Sequence, residues 1–282
     1  MSPVNAMTCD VEDWFQVQAF AGVIRREDWE TLPRRVEANM DRVLAAFAAA
    51  GVHGTFFTLG WIAERHPELV RRIVAEGHEL ASHGHGHERV DALDREAFRA
   101  DIRRARQALE DTGGVAVRGY RAPTFSIGPR TAWAHSVLEE EGYRYSSSVF
   151  PVRHDLYGDP AAPRFPYRPP GQDVLHELPM TTLRIGARNL PCAGGGYFRL
   201  VPYSLFRLAL RQYGRAEQQP SVFYFHPWEI DPGQPRVAGA SRLSRFRHRV
   251  NLSAMSGRLD RLLRDFRWDR MDHAFASVLA QS

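Results

Sequence analysis

Short apolar runs alternate with amphipathic helical stripes along most of the chain, and that alternation restricts the fold more than any other feature. Val36, Met40, Val43, Leu44 and Phe47 recur at helical spacing, which predicts a helix over residues 31–50 with Pro33 near its first turn and Gly51 as its stop. The run G-T-F-F-T-L-G at 54–60 is short, aromatic and bounded by glycine, as a buried strand would be. A helix over 62–75 and a strand over 78–82 follow. Phe98, Ile102, Ala105 and Leu109 then mark a third helical stripe, V-A-V-R-G-Y a strand, 132–141 a helix and Y-R-Y-S-S-S another strand end. Repeated strand-helix units call for an α/β fold with a parallel sheet or barrel, because parallel neighbours need a crossover helix.

The rhythm breaks over residues 151–202, where proline and glycine are frequent, so this segment reads as an irregular insertion in a single domain spanning 1–282. S-V-F-Y-F-H at 221–226 returns to the sheet. Leu259, Leu262, Leu263 and Phe266 mark a closing helix inside a C-terminal extension over 232–282. The arginine-rich Arg242–Arg249 reads as a solvated face.

Composition matters mainly for what it excludes. A net charge of +4 against 37 basic and 33 acidic residues is too mild to call for a nucleic-acid partner. All the basic residues are arginine, which genomic composition accounts for as well as function does. Cys9 and Cys192 form no C-x-x-C pair, so any metal must use histidine and carboxylate ligands. No apolar run reaches the roughly 18 residues of a membrane span. The first residues lack a basic segment followed by an apolar one, which predicts a cytoplasmic protein, working at the inner membrane face if its substrate is lipid-linked.

In parallel strand-helix folds, active sites lie beyond the C-terminal ends of the strands. Asp10, His83, His87, Arg121, Ser146 and His226 all stand at such ends, so five strands point to one place. The stretch S-H-G-H-G-H-E at 82–88 puts His83 and His87 four residues apart, a spacing that brings two imidazoles to one face of a helical turn, with His85 pointing elsewhere. An isolated H-x-x-x-H is a weak signal, and each residue has a plainer reading. His226 in an aromatic strand is ordinarily a core histidine, Arg121 a surface ion pair, and an aromatic residue part of the core.

Taken together and in order, D-V-E-D-W, S-H-G-H-G-H, R-G-Y-R-A-P, Y-S-S-S and F-H-P-W-E resemble the polysaccharide deacetylases of carbohydrate esterase family 4. The likeness is greatest to the subgroup found with bacterial exopolysaccharide and exosortase systems, whose C-terminal part resembles the domain of unknown function DUF3473. This resemblance implies a distorted (β/α)7 barrel and a divalent metal, most often Zn2+, in an enzyme that hydrolyses the acetamide of an N-acetylated glycan. It implies His83 and His87 as metal ligands, Asp10 as the base for the attacking water, His226 as the acid for the departing amine, and Arg121 as the residue that orients Asp10. The family usually has adjacent aspartates where this chain has D-V-E-D, so the carboxylate ligand is Glu12 or Asp13. Residues i and i+2 of a strand share a side, which favours Glu12. The amide of Thr124 is the expected oxyanion donor, and Trp14, Tyr197, Phe198 and Trp228 are expected sugar platforms, alongside Phe15.

One departure bears on activity. Ser146 stands where the family carries an aspartate, and a hydroxyl cannot supply that charge. Asp155 is a candidate substitute. If nothing replaces it, the chain is a carbohydrate-binding protein that keeps the fold and metal site. Hydrolysis of another amide, such as a cyclic ureide, is a third reading.

Overall fold

The computed structural model describes residues 3–281. Along the first half run β1 (Asn5–Val11), β2 (Thr55–Thr58), β3 (Glu79–Ser82), β4 (Gly119–Tyr120) and β5 (Tyr145–Ser146), each parallel to the next. β6 (His176–Glu177) extends the row past β5. β7 (Thr182–Ile185) and β8 (Arg188–Pro191) form a separate antiparallel hairpin, while β9 (Val222–Phe225) lies parallel to the free side of β1. Seven parallel strands thus curl in the order β9-β1-β2-β3-β4-β5-β6, the distorted (β/α)7 barrel expected from the sequence. β10 (Trp268–Asp269) pairs with Asn5 and Ala6 at the start of β1.

Among the described residues no ladder joins β6 to β9. The segment after β6 fills the gap instead: Leu178 and Met180 donate to the carbonyls of Ser146 and Val149, and Val222 donates to the Thr181 hydroxyl at 2.7 Å. Residues 151–202 are therefore not simply an insertion, because they contain the sixth strand and the seam of the barrel. A two-residue strand has too few positions to show an alternating pattern, which is why periodicity missed it.

Helix α1 (Val36–Ala50) buries the expected stripe of Val36, Met40, Val43, Leu44 and Phe47, and Gly51 closes it at φ +62. Each such side chain contributes about 1.5–3 kcal/mol by leaving water. The helix starts at Val36, later than expected. Its first amides are satisfied by the distant carboxylate of Asp13, which accepts from Arg35 and Val36 at 2.7 and 3.1 Å. The single helix expected over 62–75 is two, α2 (Gly60–Arg65) and α3 (Pro67–Ala75), divided where proline lacks an N–H and His66 before it is driven to ψ 56°.

Helix α4 (Arg95–Gly113) buries Phe98, Ile102, Ala105 and Leu109 and is capped by Asp94. α5 (Ala134–Glu140) precedes β5. In the second half come α6 (Gly195–Leu200), α7 (Tyr203–Glu217), α8 (Arg242–Arg249) and α9 (Leu252–Asp265). Leu259, Leu262 and Leu263 of α9 join the same core as α1, while Phe266 lies just past the helix in extended backbone. Among the described residues no helix is long and apolar enough to cross a membrane.

Candidate active site

The C-terminal strand ends meet at a cleft of about 140 Å3 whose lining includes Asp10, Glu12, His83, His87, Thr124, Tyr157, Tyr224, His226 and Trp228. A larger hollow of about 940 Å3 opens at the opposite ends of the strands, around Glu79, Arg144 and Arg270. Size does not locate the chemistry here. Among the described residues, the only group of three metal-ligating side chains close enough to hold one ion is Glu12, His83 and His87, in the smaller cleft.

β1 is paired on both sides, so its end is held firmly. Past Val11 the chain turns at once, the Glu12 amide donating back to the Asp10 carbonyl at 3.1 Å. His83 directly follows β3, and its Nδ1 lies 2.8 Å from the Arg121 carbonyl. A carbonyl only accepts, so Nδ1 carries the proton and the Nε2 lone pair is left for a cation. Burial pushes the His83 pKa down to about 4, which keeps that lone pair available.

His83 and His87 do not share a helical turn, contrary to the expectation from their spacing. Residues 83–89 form a loop in which Gly84 has φ +76° and His87 φ +58°. A side chain at Gly84 would place Cβ 2.8 Å from Asp101 Oδ2, the carboxylate that takes the amides of His85 and Gly86. The glycines of S-H-G-H-G-H thus let the loop fold over Asp101, and His85 turns away to Glu64 at 2.9 Å.

The ligand atoms of Glu12, His83 and His87 all lie within 4.8 Å of one another. Glu12 Oε2 is buried 2.7 Å from His87 Nε2, yet makes no hydrogen bond. The two atoms sit close without donor-to-acceptor alignment, as two ligands of one ion would. Burial opposes the Glu12 charge, but His87, His226 and His83 outweigh it and hold the carboxyl down at about 2. Two imidazoles, one carboxylate and an orphaned buried oxygen fit a divalent cation.

Asp13 is occupied elsewhere. Its carboxylate accepts the amides of Trp14, Arg35 and Val36, so it is spent on the start of α1. Burial pushes its pKa up despite those three hydrogen bonds.

Arg121 is fully buried, not the surface ion pair of the plainer reading. Its Nη1 donates to Asp10 Oδ1 at 2.6 Å and to Thr8 at 2.8 Å, and its other donors reach the Ser147 carbonyl and hydroxyl, both at 3.1 Å. The guanidinium also lies over Phe57, 4.0 Å from the ring centre. Ser146 bonds to Ser148 at 2.8 Å, and it is Ser147 that meets Arg121.

His226 Nδ1 donates to Glu229 Oε1 at 2.7 Å. Its Nε2 is turned into the cleft, 3.6 Å from Glu12 Oε1 and 4.0 Å from Asp10 Oδ2. Burial disfavours the imidazolium, but Glu12, Glu229 and Asp10 outweigh it and push the pKa up to about 9. The Trp228 ring stacks between His226 and His248, with centres 5.0 and 4.3 Å away, and its Nε1 donates to Glu12 Oε1 at 3.1 Å.

Several expected sugar platforms are core residues. Trp14 is buried against Phe15 with its Nε1 on the Pro33 carbonyl, and Phe15 packs on Trp29 and Trp61. Phe198 is fully buried among Tyr203, Phe206 and Phe223. The three glycines before Tyr197 lead into a helix, α6. Trp228 does line the cleft but presents little surface; Tyr197 is half-buried beside Tyr157, outside the lining. Thr124 lines the cleft at φ +56°. Asp155 pairs with His154 and Arg247 at the surface and is no substitute for the missing aspartate.

Four residues at or behind the cleft escaped the sequence patterns: Tyr157, Tyr224, Glu229 and Arg199. Glu229 had a signal in its position three residues after His226 in H-P-W-E. Arg199 had none, one arginine among 37 basic residues.

With the geometry in view, comparison with known proteins is informative. Residues 29–146 match the family model described as polysaccharide deacetylase. Residues 29–146 carry a polysaccharide deacetylase domain. Residues 147–276 match a second model, a domain of unknown function, DUF3473. Asp10 and Glu12 precede the first match, and His226 and Glu229 lie in the second.

Among curated relatives, a chitooligosaccharide deacetylase of Rhizobium leguminosarum bv. trifolii is 40% identical over 68 residues, 24% of this chain and 32% of its own length. A peptidoglycan deacetylase of Helicobacter pylori is 27% identical over 113 residues, 40% of this chain and 38% of its own. The chain thus spans only about a third of either relative's length. A solved structure of a candidate polysaccharide deacetylase from Mycobacterium smegmatis aligns over 100% of this chain and 94% of its own with TM-score 0.63 at 21% identity. An allantoinase structure aligns over 98% and 90% with TM-score 0.61 at 17% identity. These likenesses establish the fold, and two differently named enzymes share it.

Proposed function

We propose that this protein is a metal-dependent hydrolase that removes the acetyl group from an N-acetylated sugar in a bacterial glycan. The observation that carries this reading is the meeting of Glu12, His83 and His87 in one cleft with Asp10 and His226, a ligand set beside a separate base and acid. Two imidazoles and one carboxylate, from His83, His87 and Glu12, would suit Zn2+ best. When bound, such a cation polarises the acetamide carbonyl and makes water more acidic.

The remaining work falls to the chain itself. Asp10, clamped by Arg121, accepts the proton of the attacking water. The Thr124 amide donates to the oxygen on which negative charge develops. His226, with Nδ1 bonded to Glu229, offers Nε2–H to the sugar nitrogen as the C–N bond breaks, so that nitrogen leaves as the neutral amine. Within this class we place the substrate in an exopolysaccharide or its lipid-linked precursor, on the strength of the motif resemblance. The cleft aromatics Tyr157, Tyr224 and Trp228 would offer the sugar ring edges as an apolar wall, since the Trp228 faces are taken by His226 and His248.

Metal analysis joined to acetate release from N-acetylglucosamine oligomers tests the reading. One bound divalent ion and acetate production that is lost in Asp10→Asn are expected. Full turnover after chelation, or hydrolysis of allantoin with no acetate from any glycan, would overturn it.

A further inference from the structure

We propose that Glu229, anchored by Arg199, is the positioning residue of the proton-donating His226, and that the DUF3473 half thereby supplies the carboxylate absent at Ser146. This inference rests on the deacetylase reading and extends it to a part of the chain with no assigned role.

Glu229 is almost fully buried and has a strong cationic or N–H partner on each oxygen: Oε1 accepts from His226 Nδ1 at 2.7 Å and Oε2 from Arg199 Nε at 2.8 Å. With Nδ1 donating to a carboxylate, the imidazole is fixed in both tautomer and rotation, and Nε2 faces Asp10 and Glu12. Arg199 is itself held in place, since its remaining donors reach the carbonyls of Arg247, His248 and Val250 at 3.2, 3.1 and 2.7 Å. A chain of hydrogen bonds therefore runs from the end of α8 through Arg199 and Glu229 to His226.

The glycine run of C-A-G-G-G-Y accommodates it. A Cβ at Gly195 would lie 2.0 Å from Glu229 Oε2. Any side chain at 195 would take the space this carboxylate occupies. At Ser146, by contrast, the hydroxyl is engaged with Ser148.

Glutamine at 229 is nearly isosteric but cannot accept from both neighbours, because it must turn its NH2 toward either His226 or Arg199. The test compares wild type, Glu229→Gln and Glu229→Asp, each with metal content and melting temperature measured, on two substrates. One is an N-acetylglucosamine pentamer, whose amine must be protonated to leave; the other is 4-nitrophenyl acetate, whose phenolate leaves without help. The expected result is a fall in kcat on the pentamer of about 10- to 100-fold with little change in KM or metal content, and a loss of less than about 3-fold on the ester. Glu229→Asp keeps a charge for Arg199 but draws back from Nδ1, so it shows the same split if Glu229→Gln folds poorly. Equal losses on both substrates would reduce Glu229 to a structural role, and undiminished pentamer turnover would remove the inference outright. A wild type that cleaves neither amide nor ester would instead overturn the deacetylase reading beneath it.

Discussion

The two halves of the molecule build the same cleft by different means. Up to Ser146 the strands are ordered by helices with clear apolar stripes, and the site residues stand directly on strand ends: Asp10 within β1, Glu12 one residue past it, His83 one residue past β3 and Arg121 one past β4. Beyond Ser146 a two-residue strand and a separate hairpin interrupt the alternation before α7 and β9 resume it, and much of this half's contribution reaches the cleft through long buried side chains. Backbone pairing positions the first group and, through β9, also His226; side-chain hydrogen bonds from the second half then orient the His226 ring. The lesson is that a barrel can set the proposed ligands, base and acid at strand ends by its ladders and still depend on a less regular half to fix the ring of that acid.

The sharpest way to break this contrast is at the ligands. His87→Ala is expected to lose the metal and lower acetate release by about 10^3-fold or more, with the fold intact by circular dichroism. A variant that kept its metal would show that the ion is not held by the first half's loop. Next in size is Phe198→Ala, expected to cost about 3–5 kcal/mol in denaturant unfolding, because the residue fills the core under β9. If that variant raised KM with stability unchanged, Phe198 would be a sugar platform after all.

Asp13→Asn is expected to cost about 1–3 kcal/mol, since an amide cannot replace a carboxylate taking three backbone N–H groups, and to leave metal content unchanged. Loss of the ion in this variant would move the ligand assignment from Glu12 to Asp13. At neutral pH the smallest effect is one of protonation. Burial holds the His78 pKa down at about 4, against an ordinary value of 6.5, and Nδ1 accepts the Gly54 amide at 3.2 Å. The unfolded chain takes up this proton first as pH falls, so the stabilisation is complete above about pH 6.5 and is lost progressively toward pH 4, by up to about 1.4 kcal/mol per pH unit. His78→Asn, which can still accept from Gly54, should flatten the decline of melting temperature between those limits. An unchanged decline would assign acid sensitivity to other buried histidines such as His83 and His248, whose pKa values burial also pushes down.

How much was legible beforehand follows the same division. The stripes of α1, α4 and α9 were readable because helix burial repeats every three to four residues over many positions. The motif residues Asp10, His83, His87, Arg121 and His226 were readable as an ordered set at strand ends. The loop that presents His87, the split at Pro67 and the sixth strand were not, since they turn on one or two residues each. The aromatic platforms failed for a different reason: residue type does not say whether a ring faces a cleft or the core, and Trp14, Phe15 and Phe198 all face inward.

By itself, then, the sequence determined the strand-helix alternation, the kinds of ligand available to a metal and the order of the site residues along the chain. Only the tertiary structure chose Glu12 over Asp13 for the cleft, by engaging Asp13 with the amides of α1. It alone placed Glu229 and Arg199 behind His226, from stretches 30 residues apart. The physical reason is that local pattern encodes which faces are apolar, whereas the partner of a buried charge is whichever opposite group folding brings within hydrogen-bond reach.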